Sequence, residues 1–180
     1  MDETLPPLPD ALLYYGEILD IRRDDRGNPT QLQMESPRDG AYGMNLGEET
    51  YYVNSGERKS FPPANLQPGD RVYVFHSPMT ARTLPPQSPA FVILNKIPLD
   101  ASCGMYHRAE KLEQKDGAVL MTTDGGKKLL SFDAATTFLS YSGEETDGSL
   151  LRENDYVIAW YWDRGEDILH ASHVMLLGKP

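Results

Sequence analysis

The chain carries the same pattern twice, and this limits its fold more than any single motif. Tyr15, Ile18 and Ile21 reappear in order as Tyr106, Ala109 and Leu112. Leu46 and Thr50 match Phe132 and Thr136, and Ser55-Gly56-Glu57 matches Ser142-Gly143-Glu144. Leu66 and Asp70-Arg71-Val72-Tyr73-Val74-Phe75 match Leu151 and Asp155-Tyr156-Val157-Ile158-Ala159-Trp160. Ala90–Leu94 then matches Ala171–Met175. The offset drifts only from 91 (15 to 106) to 81 (90 to 171). Order kept over so many anchors marks a duplicated unit. The expected units are residues 14–98 and 104–178, which suits the 180-residue length. Residues 1–13, rich in proline, are expected to form an extended leader.

Each unit reads as all-β. Short apolar runs end at Gly, Asp, Asn or Pro. In the first unit they fall at 14–22, 30–35, 41–45, 71–76 and 90–96. In the second they fall at 105–114, 118–123, 128–132, 137–141, 156–162 and 171–177. Lys115-Asp116-Gly117 and Thr123-Asp124-Gly125-Gly126 supply the positive-φ residues of tight hairpins. Short helical or 3₁₀ turns are expected at 63–66 and 149–152. About five strands in roughly 80 residues predict a small closed barrel, so the expectation is two tandem OB-like or SH3-like barrels.

The fourth strand of each unit adds a packing inference. Tyr156, Ile158, Trp160 and Trp162 alternate with Val157, Ala159 and Tyr161, so neither face is polar. In the first unit Tyr73 and Phe75 alternate with Val72, Val74 and His76. A half-exposed strand would alternate apolar with polar. Burial on both faces is therefore expected, with small residues inside each barrel, aromatics against the other barrel, and the two units packed together.

Charge narrows the function classes. Acidic residues number 27 against 17 basic, a formal charge of −10, and each half carries −5. Nucleic-acid and anionic-membrane binding both need a basic footprint, so neither is expected. No apolar run approaches the roughly 20 residues that span a bilayer, so membrane insertion is not expected. One cysteine, Cys103, forms no internal disulfide framework and reads as a small buried junction residue. No basic-then-apolar targeting segment opens the sequence. This fits a cytoplasmic protein and equally an envelope or extracellular one whose signal has been removed.

The most unusual segment is His76-Ser77-Pro78-Met79-Thr80-Ala81-Arg82-Thr83-Leu84-Pro85-Pro86-Gln87-Ser88-Pro89. It stands where the second unit has a shorter turn, and its four prolines reduce the entropy lost on ordering. Thr80, Arg82, Thr83 and Gln87 on the loop, with Tyr73 and Phe75 on the preceding strand, are the candidate partner-binding residues. Loop length says nothing about ligands, so a purely structural role, sealing a barrel end, stands beside this reading.

The pattern Leu66-x-x-Gly69-Asp70-x-Val72-x-Val74, then Ser77-Pro78-Met79-Thr80 and Pro85-Pro86-Gln87-Ser88-x-Ala90, resembles an uncharacterised β-repeat module of clostridial-type Gram-positive bacteria. Such modules often stand beside copper-amine-oxidase-N-terminal-like domains in envelope or secreted proteins. The resemblance covers residues 14–97. It implies binding or scaffolding, and neither copper chemistry nor a catalytic residue. The second unit lacks the loop and would not duplicate its role.

Other constellations are weaker. His170 and His173 are three apart, which on a strand sends them to opposite faces and defeats shared ligation. His76 and His107 have no carboxylate or cysteine partner nearby in sequence. Asp163-Arg164-Gly165-Glu166-Asp167 lacks the EF-hand pattern and reads as a hairpin tip. Asp124-Gly125-Gly126-Lys127-Lys128 lacks the phosphate-loop spacing. No metal or cofactor is expected.

The function expected is a non-enzymatic interaction or structural module that binds a protein, peptide or glycan through the first-unit loop. One rival is an enzyme with residues 76–89 walling a pocket that holds two or more of His76, Arg82, Asp70 and Glu17. Another is an oligonucleotide binder stacking bases on Tyr51, Tyr52, Tyr73 and Phe75, which the acidic charge opposes.

Overall fold

Alternating and doubly apolar runs, each stopped by a turn residue, build fourteen strands and two 3₁₀ turns among the described residues, 8–98 and 102–178, of the computed structural model. The first unit contains β1 (Leu12–Arg23), β2 (Pro29–Ser36), β3 (Gly40–Asn45), β4 (Tyr51–Asn54), β5 (Lys59–Ser60), β6 (Arg71–His76) and β7 (Gln87–Asn95). Strand β1 pairs with β2 through its second half and with β6 through its first half. Strand β7 pairs antiparallel with β6 and parallel with β3, which closes the ring β1-β2-β3-β7-β6. Strands β4 and β5 extend the sheet beyond β7.

The second unit repeats this order with β8 (Gly104–Arg108), β9 (Lys111–Lys115), β10 (Ala118–Thr123), β11 (Lys128–Phe132), β12 (Thr137–Leu139), β13 (Tyr156–Tyr161) and β14 (Ile168–Gly178). Here β8 pairs with β13 and β9 with β10, so these two strands together take the place of β1. Strand β14 runs parallel to β11, as β7 does to β3. Each barrel thus has strand order 1-2-3-5-4-1 in its own numbering, the Greek-key connectivity of OB barrels. The expected fold, two tandem small β-barrels packed together, is the one observed.

Equivalent residues make equivalent hydrogen bonds. The Ile18 N–H donates to the Asp70 carbonyl at 2.9 Å, and the Ala109 N–H donates to that of Asp155 at 2.8 Å. The Thr50 hydroxyl donates to the Ala90 carbonyl and the Thr136 hydroxyl to that of Ala171, both at 2.8 Å. Asp70 and Asp155 each accept a backbone N–H three residues upstream, from Gln67 and Arg152, at 2.9 Å. These are bonds that a closed barrel needs wherever the chain turns inward.

Three apolar clusters hold the molecule together. Tyr14, Ile18, Leu32, Met34, Met44, Val72, Val74 and Ile93 fill the first barrel. Met121, Leu130, Phe132, Val157, Ala159 and Val174 fill the second. The third lies between them, with Val53, Phe75, Val92 and Leu94 from one barrel against Leu139, Ile158, Trp160, Met175 and Leu177 from the other. The fourth strands are therefore buried on both faces, with aromatics toward the neighbouring barrel as the sequence predicts, except for Trp162, which lies past the end of β13, half exposed beside Arg164. Side-chain bonds cross the same junction. The Trp160 indole N–H donates to the Ser55 carbonyl at 2.9 Å, and the Tyr51 hydroxyl to that of Leu177 at 2.9 Å. The Tyr141 hydroxyl accepts from the Tyr52 N–H at 2.7 Å. Gly104 is required at the seam, because a Cβ there would lie 2.8 Å from Ile158 Cγ2 and 3.1 Å from the Trp160 ring.

The structure departs from the sequence reading in three places. Strand β1 begins at Leu12, inside the expected leader, and Asp10 is tied to Arg108 of the second unit at 3.0 Å. Residues 1–7 of that leader and 99–101 of the junction lie outside the described residues. The expected strand over 105–114 is interrupted at Ala109 and Glu110. There the Ala109 carbonyl accepts from Asn154, and the Glu110 N–H turns to the Thr122 carbonyl. Strands β4 and β5 were not expected at all.

Candidate functional site

The loop between β6 and β7 is fastened along its length rather than free. Ser88 is buried, and its hydroxyl donates to the Ser77 carbonyl at 2.7 Å. The Met79 N–H donates to the Ser77 hydroxyl at 3.0 Å. Ala81 and Gln87 exchange two backbone hydrogen bonds, and the Gly43 N–H donates to the Pro86 carbonyl at 2.8 Å. The Thr80 and Tyr42 hydroxyls meet at 2.6 Å, while the Thr83 hydroxyl donates to the Pro85 carbonyl at 2.7 Å. Beyond these anchors Arg82, Thr83 and Leu84 stand exposed at the tip, Leu84 completely so, and Met79 is exposed beside them.

The loop base adjoins the outer face of β2 and β3, where every second residue is polar because its neighbours Leu32, Met34 and Met44 point into the barrel. Gln33 donates to the Gln31 side-chain carbonyl, and Gln31 donates to the Asn45 side-chain carbonyl at 2.7 Å. Gly43 makes room for this row, since a Cβ there would lie 3.1 Å from Gln87 and 3.2 Å from Gln31. The chain of amides has the Gln33 carbonyl at one end and the Asn45 amino group at the other. Gln31, Gln33, Asn45 and Tyr42 were not singled out from the sequence, although the Gln-x-Gln and Gly-x-Asn alternation carried the signal.

Of the six residues picked from the sequence, the structure gathers Thr80, Arg82, Thr83 and Gln87 on this loop and its base. Tyr73 and Phe75 are elsewhere. Phe75 is buried between the barrels, 5.8 Å from the Tyr106 ring, and Tyr73 packs against Tyr15. Phe75 presents no surface to a partner, because the double burial expected of its strand claims it. Tyr51 packs at the junction and Tyr52 inside the first barrel, which leaves no open base-stacking platform on these rings.

Of the four residues named for an enzymatic pocket, only Asp70 lines a surface cavity, at the start of β6. Glu17 lies across from Arg71 beside it but outside that lining, His76 is buried at the opposite end of β6, and Arg82 sits at the loop tip. His76 lies 5.1 Å from the Tyr42 ring, and its Nδ1 is 2.9 Å from the Ser77 carbonyl. Burial lowers its pKa below the ordinary 6.5, with the Ser77 contact and the Asp39 charge opposing. The unfolded chain therefore takes up this proton first on acidification, so stability is lost as pH falls from about 6.5 toward the folded value. Burial acts on His173 in the same direction. Urea midpoints measured from roughly pH 7 to pH 5 should fall, and His76→Phe should make that fall shallower. An unchanged slope in the variant would remove His76 from the account.

A second grouping, invisible in sequence, closes the corresponding end of the other barrel. His107 Nδ1 lies 3.2 Å from Asp124, and its Nε2 is 2.6 Å from the Tyr161 hydroxyl. An imidazole that donates from Nδ1 to the carboxylate accepts the phenol proton at Nε2. The His107 bond holds the Asp124 pKa below its ordinary value, and burial pushes that of Tyr161 up. Lys128 lies 3.8 Å from Asp124 and 3.5 Å from Asp163. His107 and Tyr161 are both buried, so the trio serves as a polar plug.

The remaining histidines go separate ways, His170 to Asp133 at 3.0 Å and His173 to Ser172 at 2.9 Å. Cys103 is partly buried against Ser55, and burial raises its pKa, which disfavours a thiolate. Among the described residues no three His, Cys, Asp or Glu side chains converge as metal ligands, and no helix is long and apolar enough to cross a membrane. No protein-family model matches the sequence, and no curated protein matches it.

Proposed function

We propose that the chain is a non-enzymatic module that binds a protein partner through the loop between β6 and β7. The observation that carries this reading is a wholly exposed leucine, Leu84, at the tip of a loop already fixed by hydrogen bonds. Water gains nothing from such a side chain, whereas its full burial in a partner is worth about 1.5–3 kcal/mol. Because the loop is pre-ordered, little of that gain is lost to conformational entropy on binding. Arg82 beside it supplies a planar guanidinium suited to carboxylates on the rim of the partner's pocket. The resemblance of the loop to the clostridial-type repeat module points the same way.

The test is photo-crosslinking in cytoplasmic and envelope fractions of the source cells, with a photoreactive residue at position 84, 82 or 116. Positions 84 and 82 should yield one common protein adduct and the exposed hairpin position 116 none. Leu84→Asp should abolish the adduct formed from position 82. An adduct common to all three positions, or one indifferent to Leu84→Asp, would defeat the reading.

A further inference from the structure

At the other end of the β6–β7 pair from the loop lies a surface cavity of about 630 Å³, within the range of small-ligand sites. Its lining is unusually rich in carboxamides. Asn54 ends β4, Asn95 ends β7, and Asn65 and Gln67 come from the 3₁₀ turn and the loop after it. Two aromatic rings join them. Phe61 is buried in the wall, and Tyr15 is half exposed, its ring held edge-on against Tyr73 at 5.0 Å. The Asn95 side-chain oxygen is fully buried and has no hydrogen-bond partner among the described residues. A buried acceptor left unpaired costs stability, and a turn of the Asn95 side chain toward the cavity would give it a donor from a bound molecule.

The second barrel shows that the fold does not need these groups. The position of Asn65 is held there by Leu150 and that of Asn95 by Leu176. Phe61, whose N–H donates to the Tyr52 carbonyl, is replaced by Thr146, whose N–H donates to that of Phe138. The backbone closes in the same way with leucines, so the polar lining of the first barrel answers to something other than closure.

We propose that this cavity is a binding site for a saccharide of one or two sugar rings. Each carboxamide offers both a donor and an acceptor, as each sugar hydroxyl does, so the two can pair without leaving a group unmatched. The exposed Tyr15 ring gives the C–H face of a sugar a flat apolar surface. Lys96 and Arg71 at the rim add donors, while Asp70 already accepts from the Gln67 backbone. The site is distinct from the protein-binding loop and does not rest on it.

The test is a titration of the isotope-labelled full chain, followed by NMR, with cellobiose, maltose, N-acetylglucosamine and glucuronate, and with inorganic phosphate as an ionic control. At least one sugar should shift the Asn54 and Asn95 side-chain amide signals and the Tyr15 ring signals saturably, with a common affinity. Asn65→Leu with Asn95→Leu installs the residues of the second barrel at two positions of the lining, so the variant should fold and bind about tenfold or more weakly. Leu84→Asp should bind sugar normally, which separates this site from the loop. Saturable shifts from none of the sugars would overturn the proposal. So would the same shifts from phosphate alone, shifts confined to the β2–β3 face, or unchanged affinity in the double variant.

Discussion

In urea the chain should unfold in one transition, reported at the same midpoint by far-ultraviolet circular dichroism and by tryptophan fluorescence. Both tryptophans, Trp160 and Trp162, lie in the second barrel, whereas the dichroism samples both. Coincidence would therefore mean that the first barrel does not outlive the second. The reason is the shared cluster, in which Val53, Phe75, Val92 and Leu94 are covered by Leu139, Ile158, Trp160, Met175 and Leu177. Separating the barrels would uncover all of them. At about 1.5–3 kcal/mol for each large side chain, the loss matches or exceeds the 5–15 kcal/mol that typically stabilises a domain. Fragments 1–98 and 102–180 should accordingly lack a cooperative transition when expressed alone, and should regain one when mixed. Two separate transitions in the intact chain would show that each barrel stands by itself.

The largest single-residue effect is expected at Trp160. Its ring is almost wholly buried at the seam, packed against Gly104, with its N–H on the Ser55 carbonyl. Trp160→Ala should cost about 3–5 kcal/mol, because it empties a volume that the two rigid barrels cannot collapse to fill. Trp160→Phe keeps much of the apolar contact and strands the Ser55 carbonyl, so about 1–3 kcal/mol is expected. Urea denaturation followed by circular dichroism measures both. If the alanine variant lost no more than the phenylalanine one, the hydrogen bond rather than the packing would be what joins the barrels.

What could be read from the sequence, and what could not, divides by the range of the signal. The repeat, most strand positions and the two-faced burial of β6 and β13 follow from patterns within a few residues. Strand β4 was missed because its four residues face two clusters, with Tyr52 in the barrel and Val53 at the seam, and so show no alternation. The break between β8 and β9 was missed because the groups that Ala109 and Glu110 bond there, on Asn154 and Thr122, lie farther along the chain. The same holds for the plug, where His107 finds Asp124 and Tyr161 only once the barrel has closed. Prolines made the loop conspicuous and placed Thr80, Arg82, Thr83 and Gln87 together. They gave no hint that Leu84 is its most exposed residue, or that the amide row on β2 and β3 lies beside its base.

Strand β6 is six residues long, so its two ends lie roughly 17 Å apart. The loop between β6 and β7 leaves one end and the carboxamide cavity opens at the other. Hydrogen-bonded strands on both sides keep β6 from bending, so this separation is a built-in ruler. A surface that offers a sugar and a protein pocket at that spacing would be gripped twice by one barrel. The second contact would then form at high local concentration, and occupancy would depend on the spacing as much as on either affinity.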